Sequence, residues 1–95
     1  MVYPAAGLLA VSAAARDDAV ERLIGLTRAR LLRQTVAPMS TSQLAAATGL
    51  GIGSVGDHLR VLLDAQLVSR RRSGSSVLYQ QTDLATELLR AEIEP

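Results

Sequence analysis

The sequence predicts a mainly α-helical domain with a small β-hairpin, on three observations. Aliphatic residues recur at helical spacing in several stretches, the pattern turns extended between residues 67 and 81, and the composition is 48% hydrophobic but only 2% aromatic. The two aromatics are Tyr3 and Tyr79, so the core must be built from leucine, valine and alanine. That composition favours a folded helical domain over disorder. Ninety-five residues allow a single domain. A chain this short buries only about 60% of the surface its unfolded form exposes. It has no cysteine and one histidine, so neither disulfides nor a zinc site can make up the difference. Self-association, or membership of a larger protein, is the expected source of further stability.

Residues 1–16 read as an apolar N-terminal segment and residues 17–95 as the folded unit. The stretch from Ala5 to Ala15 ends in small residues, as a secretory leader does, but no lysine or arginine precedes Arg16. It is also far shorter than the roughly 20 residues that span a bilayer. A buried edge segment or a shortened connection to another domain is the expectation.

The first helix is expected to start at Asp18, which with Glu21 resembles a capping box. Val20, Ile24, Thr27 and Leu31 then recur at spacings of 4, 3 and 4, with Leu23 and Leu32 widening the face. Pro38 is expected to end it, because a proline pushes the preceding residue out of the helical region. Ser40, Thr41 or Ser42 can cap a second helix from about Gln43 to Thr48, and Gly49 stands where a left-handed C-terminal cap belongs. A third helix is expected from Ile52 to about Gln66, with Val55, Leu59 and Leu62 toward the core. Gly53 and Gly56 weaken its first turns by roughly 1 kcal/mol each relative to alanine. Leu67 to Arg72 and Val77 to Gln81 then bracket Ser73-Gly74-Ser75-Ser76, which reads as a hairpin loop. Thr82 or Asp83 can cap a last helix carrying Leu84, Leu88 and Ala91.

Charge is segregated along this plan. All ten cations are arginine, and the formal net charge is only +1. Residues 28–82, however, carry seven arginines against Asp57 and Asp64, a local excess of +5 between two acidic ends. A basic middle suits an anionic partner. A set of solvated arginines is the competing explanation.

Ala45, Gly49 and Val55 complete the pattern, with Leu44, Leu50 and Leu59 around them. The small residue lets two helices approach, the glycine takes the corner, and the valine locks the outer helix onto the inner one. This is a helix–turn–helix pattern. A hairpin bearing Arg70-Arg71-Arg72 directly after it makes the whole a winged helix–turn–helix. The run from Leu26 to Leu89 resembles the winged-helix domain of ArsR-type bacterial transcriptional regulators. The matching stretches are Leu26-Thr27-Arg28-Ala29-Arg30-Leu31-Leu32, Ser42-Gln43-Leu44-Ala45, His58-Leu59-Arg60-Val61-Leu62 and Asp64-Ala65-Gln66-Leu67-Val68. The wing runs from Arg71-Arg72-Ser73-Gly74 through Val77-Leu78-Tyr79.

The resemblance implies a cytoplasmic, nucleoid-associated homodimer that sets one recognition helix per subunit in successive major grooves and acts as a repressor. It also implies pairing through the first and last helices, here at Leu23, Leu84 and Leu88. The chain departs from the family in four places. Gly51 and Ile52 replace the usual Ser/Thr-Pro at the start of the recognition helix. Asp57 stands where many relatives carry a polar or basic residue, and Ser75 and Ser76 leave the wing tip less basic. A single His58 without cysteines does not match the ligand sets of metal-sensing members, so no metal or cofactor is expected. Val2 to Leu8 looks like the tail of a preceding domain in longer relatives.

The candidate DNA-binding residues are Gln43, Gly53, Ser54, Asp57, His58, Arg60, Arg70, Arg71, Arg72 and Ser75. Gly53, Ser54, Asp57 and Arg60 lie opposite Val55, Leu59 and Leu62 on a helical wheel, in the half where a recognition helix reads base edges. An aspartate there can accept from the cytosine amino group, but it also repels phosphates. The alternative is a solvated face with an Asp57–Arg60 pair at i, i+3. Gln43 opens the inner helix, where its backbone amide and side chain can touch phosphate. His58 is expected to be partly buried and to reach a backbone or phosphate oxygen. Strand alternation sends Arg70 and Arg72 to one face and Arg71 to the other, so the three cannot all meet DNA alike. Arg28, Arg30 and Arg33 read as helix surface, and Tyr79 as an aromatic anchor under the wing.

No nucleophile–base pair, glycine-rich phosphate loop or acidic cluster supports an enzyme reading. Asp17 and Asp18 are explained as helix-start residues. The expectation is a regulator that binds double-stranded DNA. The alternative is a winged-helix module that binds a protein and has weak or no affinity for DNA.

Overall fold

The computed structural model describes residues 19–93. The expectations for residues 1–16, for Tyr3 and for the Asp18 cap lie outside the described residues. Within them the order is helix α1 over residues 19–24, α2 (Leu26–Gln34), α3 (Thr41–Thr48), α4 (Ile52–Asp64), strands β1 (Val68–Ser73) and β2 (Ser76–Gln81), and α5 (Asp83–Ile93).

The first helix is not continuous. Gly25, at φ +95°, separates α1 from α2. A residue with a Cβ rarely adopts that conformation, and glycine adopts it freely. The ladder partly survives the break: the Gly25 amide donates to the Glu21 carbonyl (2.7 Å) and the Ala29 amide to the Gly25 carbonyl (3.0 Å). Periodicity reads straight through such an interruption because Val20, Ile24 and Leu31 still face inward; Val20 and Leu31 are buried and Ile24 half-buried. Leu23 does not widen the core face and is 70% exposed. Nor does Pro38 end the helix. Thr35 does so first, donating both its amide and its hydroxyl to the Leu32 carbonyl (3.2 and 2.8 Å).

Ser40 caps α3 in a reciprocal capping box: its hydroxyl accepts from the Gln43 amide, and the Gln43 Oε1 accepts from the Ser40 amide. Gly49 closes α3 in the left-handed conformation at φ +76° and ψ 8°, with its amide on the Ala45 carbonyl. That corner swings α4 across α3. Leu44, Val55, Leu59 and Leu62 meet Leu31 and Leu32 of α2 in one buried cluster. Leu67, Val68 and Ala85 complete it from the hairpin and α5. An aliphatic core of this kind is stabilised by close packing of small side chains.

At the C-terminal end of α4, Leu67 donates to the Leu62 carbonyl (2.9 Å) and Gln66 to the Leu63 carbonyl (3.0 Å). These are the two bonds of a Schellman cap, with Gln66 at φ +62° in the position usually held by glycine. The left-handed region costs an L-residue about 1–2 kcal/mol. Gln66→Gly is therefore expected to raise the unfolding free energy by roughly 1 kcal/mol in urea denaturation. An unchanged or lowered midpoint would mean that the cap is not strained.

The hairpin pairs Val68 with Gln81 through Ser73 with Ser76, so the strands run one residue further into the loop than expected and leave only Gly74 and Ser75 between them. Gly74 has φ +61° while Ser75 does not have positive φ, the signature of a type II′ turn. A second pairing joins Met39 to Tyr79 through two backbone bonds of 2.9 and 2.8 Å, tying the chain just before α3 to the wing.

Beneath the wing a polar network links three elements. The Gln81 side chain donates to the Leu32 carbonyl (2.9 Å) and accepts from the Thr86 hydroxyl (2.9 Å), while the Gln81 amide donates to the Thr35 carbonyl (2.9 Å). Thr35 is fully buried, and these bonds satisfy it. Thr82 caps α5, accepting from the Ala85 amide (3.2 Å).

Candidate nucleic-acid interface

The α4 helix presents two faces of opposite character. Val55, Leu59 and Leu62 are buried, whereas Gly53, Ser54, Asp57, Arg60 and Asp64 are exposed. This is the division expected from the spacing. His58 lies at the boundary, half-buried, and its ring makes no hydrogen bond to another described residue, so the expected backbone contact is absent. No Asp57–Arg60 ion pair forms among the described residues.

The hairpin lies alongside α4. Cross-strand partners share a face of a sheet, and the register sets Arg70 opposite Tyr79, Arg72 opposite Val77 and Arg71 opposite Leu78. Arg70 and Tyr79 line a groove with Gly56, Arg60, Leu63 and Asp64 of α4. Arg70 thus faces α4, with Arg60 across the groove, and Arg72, two residues along the strand, lies on the same face of the hairpin. Arg71 belongs to the other face, although it lines part of the adjoining groove along Arg70, Arg72, Val77 and Tyr79. Tyr79 is half-buried against the core, in the anchoring place expected of it.

The other central arginines bind the protein itself. Arg30 donates to the Thr48 carbonyl (3.2 Å), where a cation offsets the negative end of α3. Arg33 pairs with Glu21 at 3.3 Å, bridging α2 to α1 across the Gly25 break. Arg28 reaches the Ile24 carbonyl at 3.4 Å. Four arginines, Arg60, Arg70, Arg71 and Arg72, are left exposed and without an ion pair among the described residues. The exposed positive charge without an ion pair is therefore densest on the wing, which carries three arginines and no acid, whereas α4 sets Arg60 against Asp57 and Asp64.

Gln43 is less available than its position suggests. Its amide and its Oε1 are both engaged in the capping box, which leaves only the Nε2 group to reach outward. Ser75 is exposed at the wing tip, across a shallow cleft from Ser40, Thr41 and Ser42. Of the residues expected at a dimer contact, Leu23 and Leu84 are 70% and 58% exposed, while Leu88 is half-buried against the core. Leu26, at 56%, is a further exposed leucine that the spacing did not single out. Ile52, which opens α4 and has no place in the periodic pattern, is 58% exposed.

A helix-turn-helix domain model matches residues 27–71. A crystal structure described as a possible transcriptional regulator for arsenical resistance is 32% identical, with a TM-score of 0.60, covering 68% of this chain and 69% of that one. NolR from Sinorhizobium fredii superposes with a TM-score of 0.66 at 24% identity over 96% of this chain and 91% of its own. RV1404 from Mycobacterium tuberculosis gives a TM-score of 0.72 at 22% identity over 93% of this chain, which spans 63% of the length of RV1404. No curated protein matches the chain significantly. The fold is a winged helix–turn–helix. The chain belongs to the ArsR-type winged helix–turn–helix family of bacterial transcriptional regulators.

Proposed function

We propose that this chain binds double-stranded DNA sequence-specifically as a homodimer and represses transcription from the bacterial cytoplasm, with residues 17–95 as the binding unit. One observation supports this most: Arg60 and Arg70 line one groove between α4 and the wing, and Arg72 lines the adjoining groove along the wing, all three exposed and without ion-pair partners among the described residues. Unpaired guanidiniums gathered on one side suit phosphate oxygens on either flank of a major groove. Ser54, Asp57 and the bare backbone at Gly53 then meet base edges. The exposed Leu23, Leu26 and Leu84 supply apolar surface for a second copy. A repressor of this kind needs no catalytic group, because occupancy of the operator alone blocks access to it.

A second reading is favoured by one specific feature. Asp57 and Asp64 are both exposed on α4 and repel phosphates. On that reading the same face takes a basic protein segment.

Fluorescence anisotropy of the full chain with duplex fragments, across a salt series, separates the two. DNA binding predicts that log affinity falls linearly with log salt, at a slope of about −0.9 per phosphate neutralised. Three guanidiniums per subunit in a dimer would give a slope near −5. Weak binding, equal on every fragment and lost at moderate salt, would instead support the protein-binding reading.

A further inference from the structure

We infer that Ile52 is a specificity-determining residue that reads the 5-methyl group of a thymine in the operator half-site; the inference rests on the DNA-binding reading above. Ile52 is the first residue of α4 and is 58% exposed. Helical side chains lean toward the N-terminus of their own helix, so Ile52 projects past the end of α4 that enters a groove in helix–turn–helix docking. Its cap residue, Gly51, offers no side chain beside it.

The chemistry of the neighbouring positions narrows what α4 can read. The residues from Ile52 to Asp57 include no arginine, lysine, asparagine or glutamine. The bidentate contacts that identify guanine and adenine are therefore unavailable in the first turn and a half. What remains is a branched aliphatic group at Ile52, a hydroxyl at Ser54 and a carboxylate at Asp57. In the major groove the thymine methyl is the apolar feature of a base pair, and the cytosine amino group is a donor that a carboxylate accepts. An exposed isoleucine among these groups is matched by the first. Five residues of helix separate Ile52 from Asp57, a rise of about 7.5 Å, which is roughly two base-pair steps along the groove. The thymine and the cytosine are accordingly expected within about two steps of each other.

Duplexes bound by the full chain are first selected from a random pool. Each thymine is then replaced singly by deoxyuridine, which removes only the methyl group, and affinity is read by anisotropy for the natural chain and for Ile52→Ala. One replacement in each half-site should weaken binding by the natural chain about fourfold, the worth of one buried methyl group. Ile52→Ala should bind more weakly to the unmodified duplex and be indifferent to that replacement. Its thermal unfolding should not change, since the side chain is exposed. If no replacement matters, or if Ile52→Ala remains equally sensitive, the assignment of Ile52 is overturned while DNA binding stands. If the pool yields no bound duplex, the DNA-binding reading falls and this inference falls with it.

Discussion

Replacing Arg70 and Arg72 together with alanine is expected to weaken DNA binding about 100-fold for each half-site engaged, taking roughly 1.5 kcal/mol for each charge-assisted contact and 1.4 kcal/mol per tenfold. The salt slope should fall by about 2 for each subunit. Arg71→Ala should change affinity far less, because the register turns its side chain to the Leu78 face. All three side chains are exposed, so thermal unfolding should be unaffected. The comparison is internal, since the three neighbours have the same charge and the same chemistry. Equal losses from Arg71→Ala and from either of the other single replacements would show that the face assigned by cross-strand pairing does not govern the contact. The wing would then act through charge alone.

Leu23→Glu combined with Leu84→Glu is expected to yield a monomer in sedimentation equilibrium and to lower DNA affinity by 100-fold or more. Both leucines are mostly exposed in the single chain, at 70% and 58%, so the loss cannot come from the core. Burying a leucine is worth about 1.5–3 kcal/mol, and a carboxylate in the same place opposes association. A dimer engages two half-sites through one tether, and losing the second engagement typically costs 10²–10⁴ in apparent affinity. A dimeric double variant with undiminished affinity would move the contact elsewhere. Leu88 makes a poor substitute test. It packs against the core, so its replacement would confuse folding with association.

Much of this molecule was legible from residue order. The inward faces of α3 and α4 follow from spacing, because a helix repeats every 3.6 residues and Val55, Leu59 and Leu62 keep that period. The Gly49 corner follows from the freedom of glycine at positive φ, and the hairpin follows from small residues between two extended runs. The split between Arg70 and Arg72 on one side and Arg71 on the other needs only strand alternation. Spacing misled at Gly25. A single left-handed residue breaks a helix without disturbing which side of it is apolar, so the periodic pattern shows no seam.

The candidate site divides along similar lines. Residue types marked Ser54, Asp57 and Arg60 as the outer face of one helix, since that needs only the helical period. Which wing face turns toward α4 depends on how β1–β2 is anchored, and that rests on long-range bonds: Met39 to Tyr79, and Gln81 to Leu32, Thr35 and Thr86. Arg30 and Arg33 read as free surface charge until a distant carbonyl and a carboxylate came within reach, at 3.2 and 3.3 Å. Local order thus specifies helix faces, turns and strand alternation, because these arise from backbone geometry within a few residues. Partners far apart in the chain are chosen by packing of the assembled core, and no local pattern contains them.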